Sequence, residues 1–430
     1  MVVHKGNTTN FFHGPSRETS AVAWRGMQIL FVIFCFIFVF ALYNLISVRE
    51  KRNPIDKLST LLPVADDVFL VHTVRDSRHS GTEYKMLVLA KRPNRNLDCA
   101  FEWGQRAPIS WYEMDSNGDA EYKAYLMICH VPKIHLNGTE FRAFGISEHL
   151  PDEDAPRFGY RRTDLFIDYD ITNTDPSYLR QYGICVQDLI SGNDYNNMDL
   201  IEFVEVNRAL GASIITVIVE WESLGEEMKA AMDFYRAEGI LDIVNFFLPV
   251  ELSQVNNKAE NIRLNHCLYR HMTTTHYLAF LHLNEFLVPV ENKTVHRVIN
   301  DEFDLYMSGT IKMSAMNFTD EATYPRTLTS TKRSKSYDHF GQRSVVRVRN
   351  VQEMGPSGPK VITITNQPLV YLENGKFFHL HRYVKGGMYK EEEQETDTVL
   401  TNRFPHLENI VMSQEMLVDA WIGNDDLMSK

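Results

Sequence analysis

A chain of 430 residues with a formal net charge of −12 and no long run of lysine or arginine is a poor partner for nucleic acid, whose phosphates demand a basic face. With 44 % hydrophobic residues and no low-complexity tract it is also no disordered linker, and its length suffices for one large domain carrying a smaller lobe.

Ile29 to Ile46 is an apolar run without a charge. At about 1.5 Å per helical residue it covers roughly the hydrocarbon core of a bilayer. It starts too far from Met1, and is too long, for a cleaved signal peptide. The reading is a cytoplasmic tail over 1–28, a transmembrane signal anchor over 29–48 and a polar stem over 49–67. Flanking charge favours the opposite orientation, since Arg49, Lys51, Arg52 and Lys57 follow the span, but long domains translocate largely regardless of it. Three glycosylation sequons, at Asn137, Asn292 and Asn317, are usable only by a lumenal chain. Four of the five cysteines, Cys99, Cys129, Cys185 and Cys267, follow the span and suit two disulfides in an oxidising compartment, with three pairings open. The expectation is a single-pass type II membrane protein with a short cytoplasmic tail and a large lumenal domain, with homodimers easily formed beside the anchor.

From Val68 the pattern is strand-like, with DVFLVHTV, YKMLVLAKR and EYKAYLMICHV separated by polar turns, which predicts a β-rich lobe over 68–162. The rhythm then changes. A strand over Ile184–Leu189, a helix over Met198–Leu210 stopped by Gly211, the β-branched strand Ser213–Val219, a helix over Gly225–Glu238 stopped by Gly239 and a strand from Ile240 follow one another. Alternation of this kind predicts right-handed parallel crossovers in an α/β domain, placed at 163–395, with a C-terminal extension over 396–430. A further helix, Asn256–Met272, leads into the strand Tyr277–Leu283. At its end stand His282, Asn284 and Glu285, where open α/β sheets bind ligands; strand alternation would put His282 and Asn284 on one face.

Two later segments add candidates. Arg347 and Arg349, at strand spacing, and Arg382 and Lys385 offer charge for phosphate oxygens. In Phe377–Gly387, alternation brings His379 and His381 to one side.

Cys185-Val186, the Leu200-Ile-Glu-Phe helix, Leu210-Gly-Ala, Asn265-His-Cys-Leu-Tyr-Arg270, Phe280-Leu-His-Leu-Asn-Glu-Phe-Leu-Val-Pro289 and His381-Arg-Tyr383 together resemble glycosyltransferase family 92 over roughly residues 182–388. The resemblance implies a GT-A-type nucleotide-sugar fold with a mixed, mainly parallel central sheet. It also implies transfer of a hexose, galactose first, from a UDP-sugar to a glycan acceptor, with Mn²⁺ as metal. Where the family reads Asp-x-Asp-Glu-Phe this chain has His282-Leu-Asn284-Glu285-Phe286, and the family's Asn-Asp-Cys is Asn265-His266-Cys267. The motif is degenerate. A metal would fall to His282, Asn284, Glu285 and His381, a set poorer in the oxygen donors that Mn²⁺ prefers. The alternative is a catalytically impaired pseudo-glycosyltransferase that binds a glycan or partners an active transferase. The residues name no general base.

Overall fold

The computed structural model describes residues 61–428, apart from 79–80, 95, 102–105, 115–118, 132–143, 150–159, 166, 172–177, 193, 307–308, 321–322, 363–368, 372–375 and 386–393. The expected membrane anchor and Asn137 lie outside the described residues. Among the described residues no helix is long and apolar enough to cross a membrane.

The N-terminal lobe is two antiparallel sheets. Val68–Asp76, Glu83–Ala90 and Lys123–His130 form the centre of one; Leu97–Phe101, Arg106–Pro108, Phe144–His149 and Tyr160–Leu165 form the other. In Glu83–Ala90 nearly every residue is buried, and alternation shows why. Tyr84, Met86 and Val88 pack with Cys99 and Phe101 between the sheets, while Leu87 and Leu89 pack outward against Ile218, Val244 and Ile262 of the next domain. Cys99 and Cys129 join the two sheets as a disulfide. The lobe runs past the expected boundary at 162, because Tyr160–Leu165 pairs with Phe144–His149 and Tyr169–Ile171 lies parallel to Val74–Asp76.

The following domain is numbered from its own first strand. In order come β1 (Arg180–Ile190), α1 (Asn197–Ala209), β2 (Ile215–Val219), α2 (Glu226–Glu238), β3 (Leu241–Asn245), α3 (Glu260–His271), β4 (Thr275–Leu281), β5 (Glu285–Pro289), α4 (Val295–Tyr306), β6 (Thr310–Asp320), β7 (Lys332–Ser334), β8 (Asp338–Arg347), β9 (Phe378–Lys385), β10 (Gln394–Thr396) and α5 (Leu407–Met428). The sheet runs β3-β2-β1-β4-β8-β6-β7-β10, with β9 beside β6 and β5 beside β9. β3, β2, β1 and β4 are parallel, as the strand–helix alternation predicts. The remainder is mixed: β4–β8, β8–β6, β6–β7, β7–β10 and β5–β9 are antiparallel and β6–β9 is parallel, so parallel and antiparallel pairs share one sheet.

Local chemistry fixes the elements. β2 is ITVIV, buried at every position, as a strand covered on both faces must be. Asn196 and Asp199 form a reciprocal capping box at the start of α1, and Gly239 ends α2 at φ 79°, a left-handed angle that costs glycine little. Cys185 of β1 is disulfide-bonded to Cys267 of α3. The expected boundary at 395 also moves. β10 pairs with β7, and α5 buries Leu407, Val411 and Val418 in the same core as α1 and α2, so the C-terminal segment is part of the domain.

Candidate functional site

The register of β1 and β4 puts Val186 opposite Leu281, so the residues just beyond each, Asp188 and His282, meet at the carboxyl end of the sheet. There they border a cleft of about 580 Å³, a volume suited to a small organic ligand. Its wall includes Asp188 near the end of β1, Asp194 and Tyr195 after it, Lys258, Glu260 and Arg263 around the start of α3, His282 and Asn284 after β4, and Arg326 and Tyr383.

β4 stops at Leu281 and β5 starts at Glu285, with a turn between them. His282 and Asn284 are therefore not neighbours on one strand face, as alternation suggested. His282 Nδ1 lies 2.7 Å from Asp188 Oδ1, while the Leu283 amide donates to Asp188 Oδ2 at 2.9 Å. Burial opposes charge on Asp188, but His282, the Leu283 amide and Tyr195 outweigh it and hold the carboxyl below its usual range. Nδ1 thus carries the proton, and Nε2 is the nitrogen left for a ligand. Asn284 donates through Nδ2 to the Tyr383 carbonyl at 2.7 Å and accepts from the Tyr383 amide on its own carbonyl at 3.0 Å, which staples the turn to β9.

Glu285 is elsewhere in function. Its side chain is fully buried and accepts from Arg343 Nε at 2.6 Å, Arg382 Nε at 2.7 Å and the His282 amide at 2.9 Å. Burial works against its charge, yet Arg343, His282 and Arg382 together keep the carboxyl below its usual value. Arg382 also donates to Asp338 Oδ2 at 2.8 Å and to the Gly341 carbonyl at 2.6 Å. Glu285 and Arg382, expected to serve metal and phosphate, instead neutralise one another under the turn.

The remaining candidates separate. His381 is 1 % exposed, with its ring 4.4 Å from that of Phe318, and does not line the cleft. Arg347 lies over the Tyr277 ring and Arg349 is buried, so neither faces the cleft, and the side chain of Lys385 lies outside the described residues. Asn292 is exposed ahead of α4, but Asn317, 8 % exposed within β6, leaves no room for a glycan: the sequon there is a strand sequence.

Residues that the sequence did not single out complete the cleft. Glu260, first residue of α3, has its carboxyl raised by burial, only partly offset by Arg263, His282 and Arg343. Asn257, Lys258 and Ala259 just before it take left-handed angles, φ 47°, 50° and 58°, a conformation costing about 1–2 kcal/mol per non-glycine residue and typical of functional turns. They leave Lys258 exposed at the cleft, with no ion pair among the described residues. Arg263 is spent on structure, donating to the carbonyls of Gln187 and Lys258, and Arg326 is held by Asp199 at 2.6 Å and Glu202 at 3.3 Å. The strand-end rule could have found Asp188; Glu260 at a helix start gives no such signal.

The donors present do not make a manganese site. Among the described residues no three His, Cys, Asp or Glu groups of the cleft converge, and the carboxylates of Asp188 and Glu285 are both engaged by protein donors.

The sequence profile described as glycosyltransferase family 92 matches residues 180–414, more than half of the chain. Among curated proteins, the beta-1,4-galactosyltransferase galt-1 of Caenorhabditis elegans is 23 % identical over 262 residues, which cover 59 % of this chain and 59 % of that protein.

Proposed function

The chain belongs to glycosyltransferase family 92 and is by that resemblance a transferase, and from that premise we propose that the cleft binds a UDP-sugar and passes its hexose to a glycan hydroxyl within a GT-A-type domain. Galactose is the first candidate, since the matched relative is named a galactosyltransferase. The observation that carries the proposal is the position of Asp188, His282, Lys258 and Glu260 together at the carboxyl end of the parallel strands.

In this reading Lys258, and His282 when its ring is doubly protonated so that Nε2 also donates, take the diphosphate oxygens, and Glu260 is the general base. Burial raises the Glu260 carboxyl above its ordinary value, which makes it a stronger base. The acceptor oxygen attacks the anomeric carbon as its proton passes to Glu260, and the bond from that carbon to phosphate breaks, releasing UDP. Cationic side chains would carry the charge that a divalent ion carries elsewhere. Titration of the purified protein with UDP is expected to give the same affinity, within about twofold, with and without Mn²⁺ (a difference of about 0.4 kcal/mol). Tightening by tenfold or more would reinstate a metal in the cleft, and no binding under either condition would overturn the donor site itself.

A second reading keeps the donor cleft without turnover. It is favoured by one observation, the commitment of Glu285 to two arginines where the family motif places an acid. UDP binding with neither transfer nor donor hydrolysis would select it.

We place the domain in the lumen of the Golgi or endoplasmic reticulum, behind the apolar run at 29–46. Glycosidase treatment should then shift the protein on a gel. Asn292→Gln should remove one step of that shift and Asn317→Gln none; an unshifted wild-type band would count against a lumenal location.

A further inference from the structure

We propose that His379, His381 and Asp397 form a structural zinc site, separate in residues from the cleft. Nothing in the proposed transfer uses them, and none of the three lines the cleft.

The site grows out of strand alternation. His379 and His381 of β9 point to one side, and their rings stand 6.0 Å apart. The strand β10, paired with β7, delivers Asp397 directly after its end. One ligand atom from each of the three residues falls within 4.8 Å of the other two, and His379 Nδ1 lies 3.8 Å from Asp397 Oδ2. Zinc bonds of 2.0–2.2 Å set tetrahedral donors roughly 3.4 Å apart, so a group within 4.8 Å needs a contraction of up to about 1.4 Å.

Burial supplies the second observation. His381 is 1 % exposed, and neither ring nitrogen has a hydrogen-bond partner; His379 Nδ1 is likewise buried without one. Buried imidazole nitrogens are normally satisfied, and a metal would satisfy these.

The surroundings fit a ligand set that is already oriented. Asp397 accepts from Arg333 Nε at 2.9 Å on Oδ2 and from the Val399 amide at 3.0 Å on Oδ1, while Phe318 walls the His381 ring. Arg333 does not fill the role of the cation, because Glu395 pairs with the same guanidinium. Asp397, Glu395 and Arg333 sum to one negative charge, which a divalent ion would reverse rather than compound. Two imidazoles and a carboxylate suit Zn²⁺ better than the oxygen-seeking Mg²⁺ or Ca²⁺. The ion would bind the segment after β10, and with it the helix Val399–Arg403, to the body of the sheet.

The test uses the full chain, stripped with a chelator, dialysed against buffered Zn²⁺ and assayed for metal. Wild type should retain one zinc per chain, and His282→Ala should retain the same, whereas His379→Ala and Asp397→Asn should retain almost none. Zinc should raise the melting temperature of wild type and leave that of His379→Ala where it was. A wild type without bound zinc, or a His379→Ala protein that keeps it, would overturn the site. If the variants do not fold, Co²⁺-loaded wild type still decides: visible ligand-field bands that Zn²⁺ bleaches support the site, and their absence removes it.

Discussion

Glu285→Gln is expected to lower stability by about 3–5 kcal/mol, the usual consequence of leaving a buried partner charge uncompensated. The amide keeps the shape of the carboxylate but strands Arg343 and Arg382, each now facing it at 2.6–2.7 Å with little access to water. In a domain of this size that corresponds to a fall in melting temperature of roughly 5–10 °C. The pH dependence has a definite sign. Because the folded carboxyl is held below its ordinary value, its contribution is complete above the unfolded value, near 4.3, and is lost as pH falls through the folded one. Wild type and variant should therefore converge in acid. Thermal unfolding of both proteins between neutral pH and acid checks this, and equal stability at neutral pH would show that the arginines find other partners.

The second large effect falls on turnover. Glu260→Gln should reduce kcat by about 10²–10⁴, the range of general-base contributions, with KM for the donor changed little. Its signature is in the pH profile. With the carboxyl raised by burial, the acid limb of kcat/KM for wild type should lie above the ordinary glutamate range, activity rising as Glu260 ionises, and the limb should vanish in the variant. Lys258→Ala, by contrast, should weaken UDP binding. A Glu260→Gln protein with wild-type kcat would sink the assignment of base and send the search back to His282.

The parallel half of the domain was legible in the sequence because its signals are local. The apolar run of β2, the helix stops at Gly211 and Gly239 and the strand–helix alternation each act over a few residues, and the crossover rule then orders β1, β2, β3 and β4. Family resemblance and the strand-end rule both pointed to the end of β4, which borders the cleft. What it could not convey is how the acids there are used. Glu285 is committed by Arg343 and Arg382, 58 and 97 residues further on, and no local pattern announces such a meeting. For the same reason His381, grouped with His282 by motif, belongs with Asp397, and Asn317, a sequon by pattern, is interior by register. The break between β4 and β5 was missed because Leu281 to Val288 is apolar enough to read as one strand interrupted by polar residues.

The disulfide between Cys185 and Cys267 gains a meaning from what lies on either side of it. Asp188 is three residues beyond one sulfur and Glu260 is seven before the other, so a covalent bond ties the element that orients His282 to the element that carries the proposed base. Closing a loop of 82 residues restricts the unfolded chain by about 4.5 kcal/mol on the chain-entropy account. A chain kept reduced would have to hold the two walls of its cleft together by packing alone.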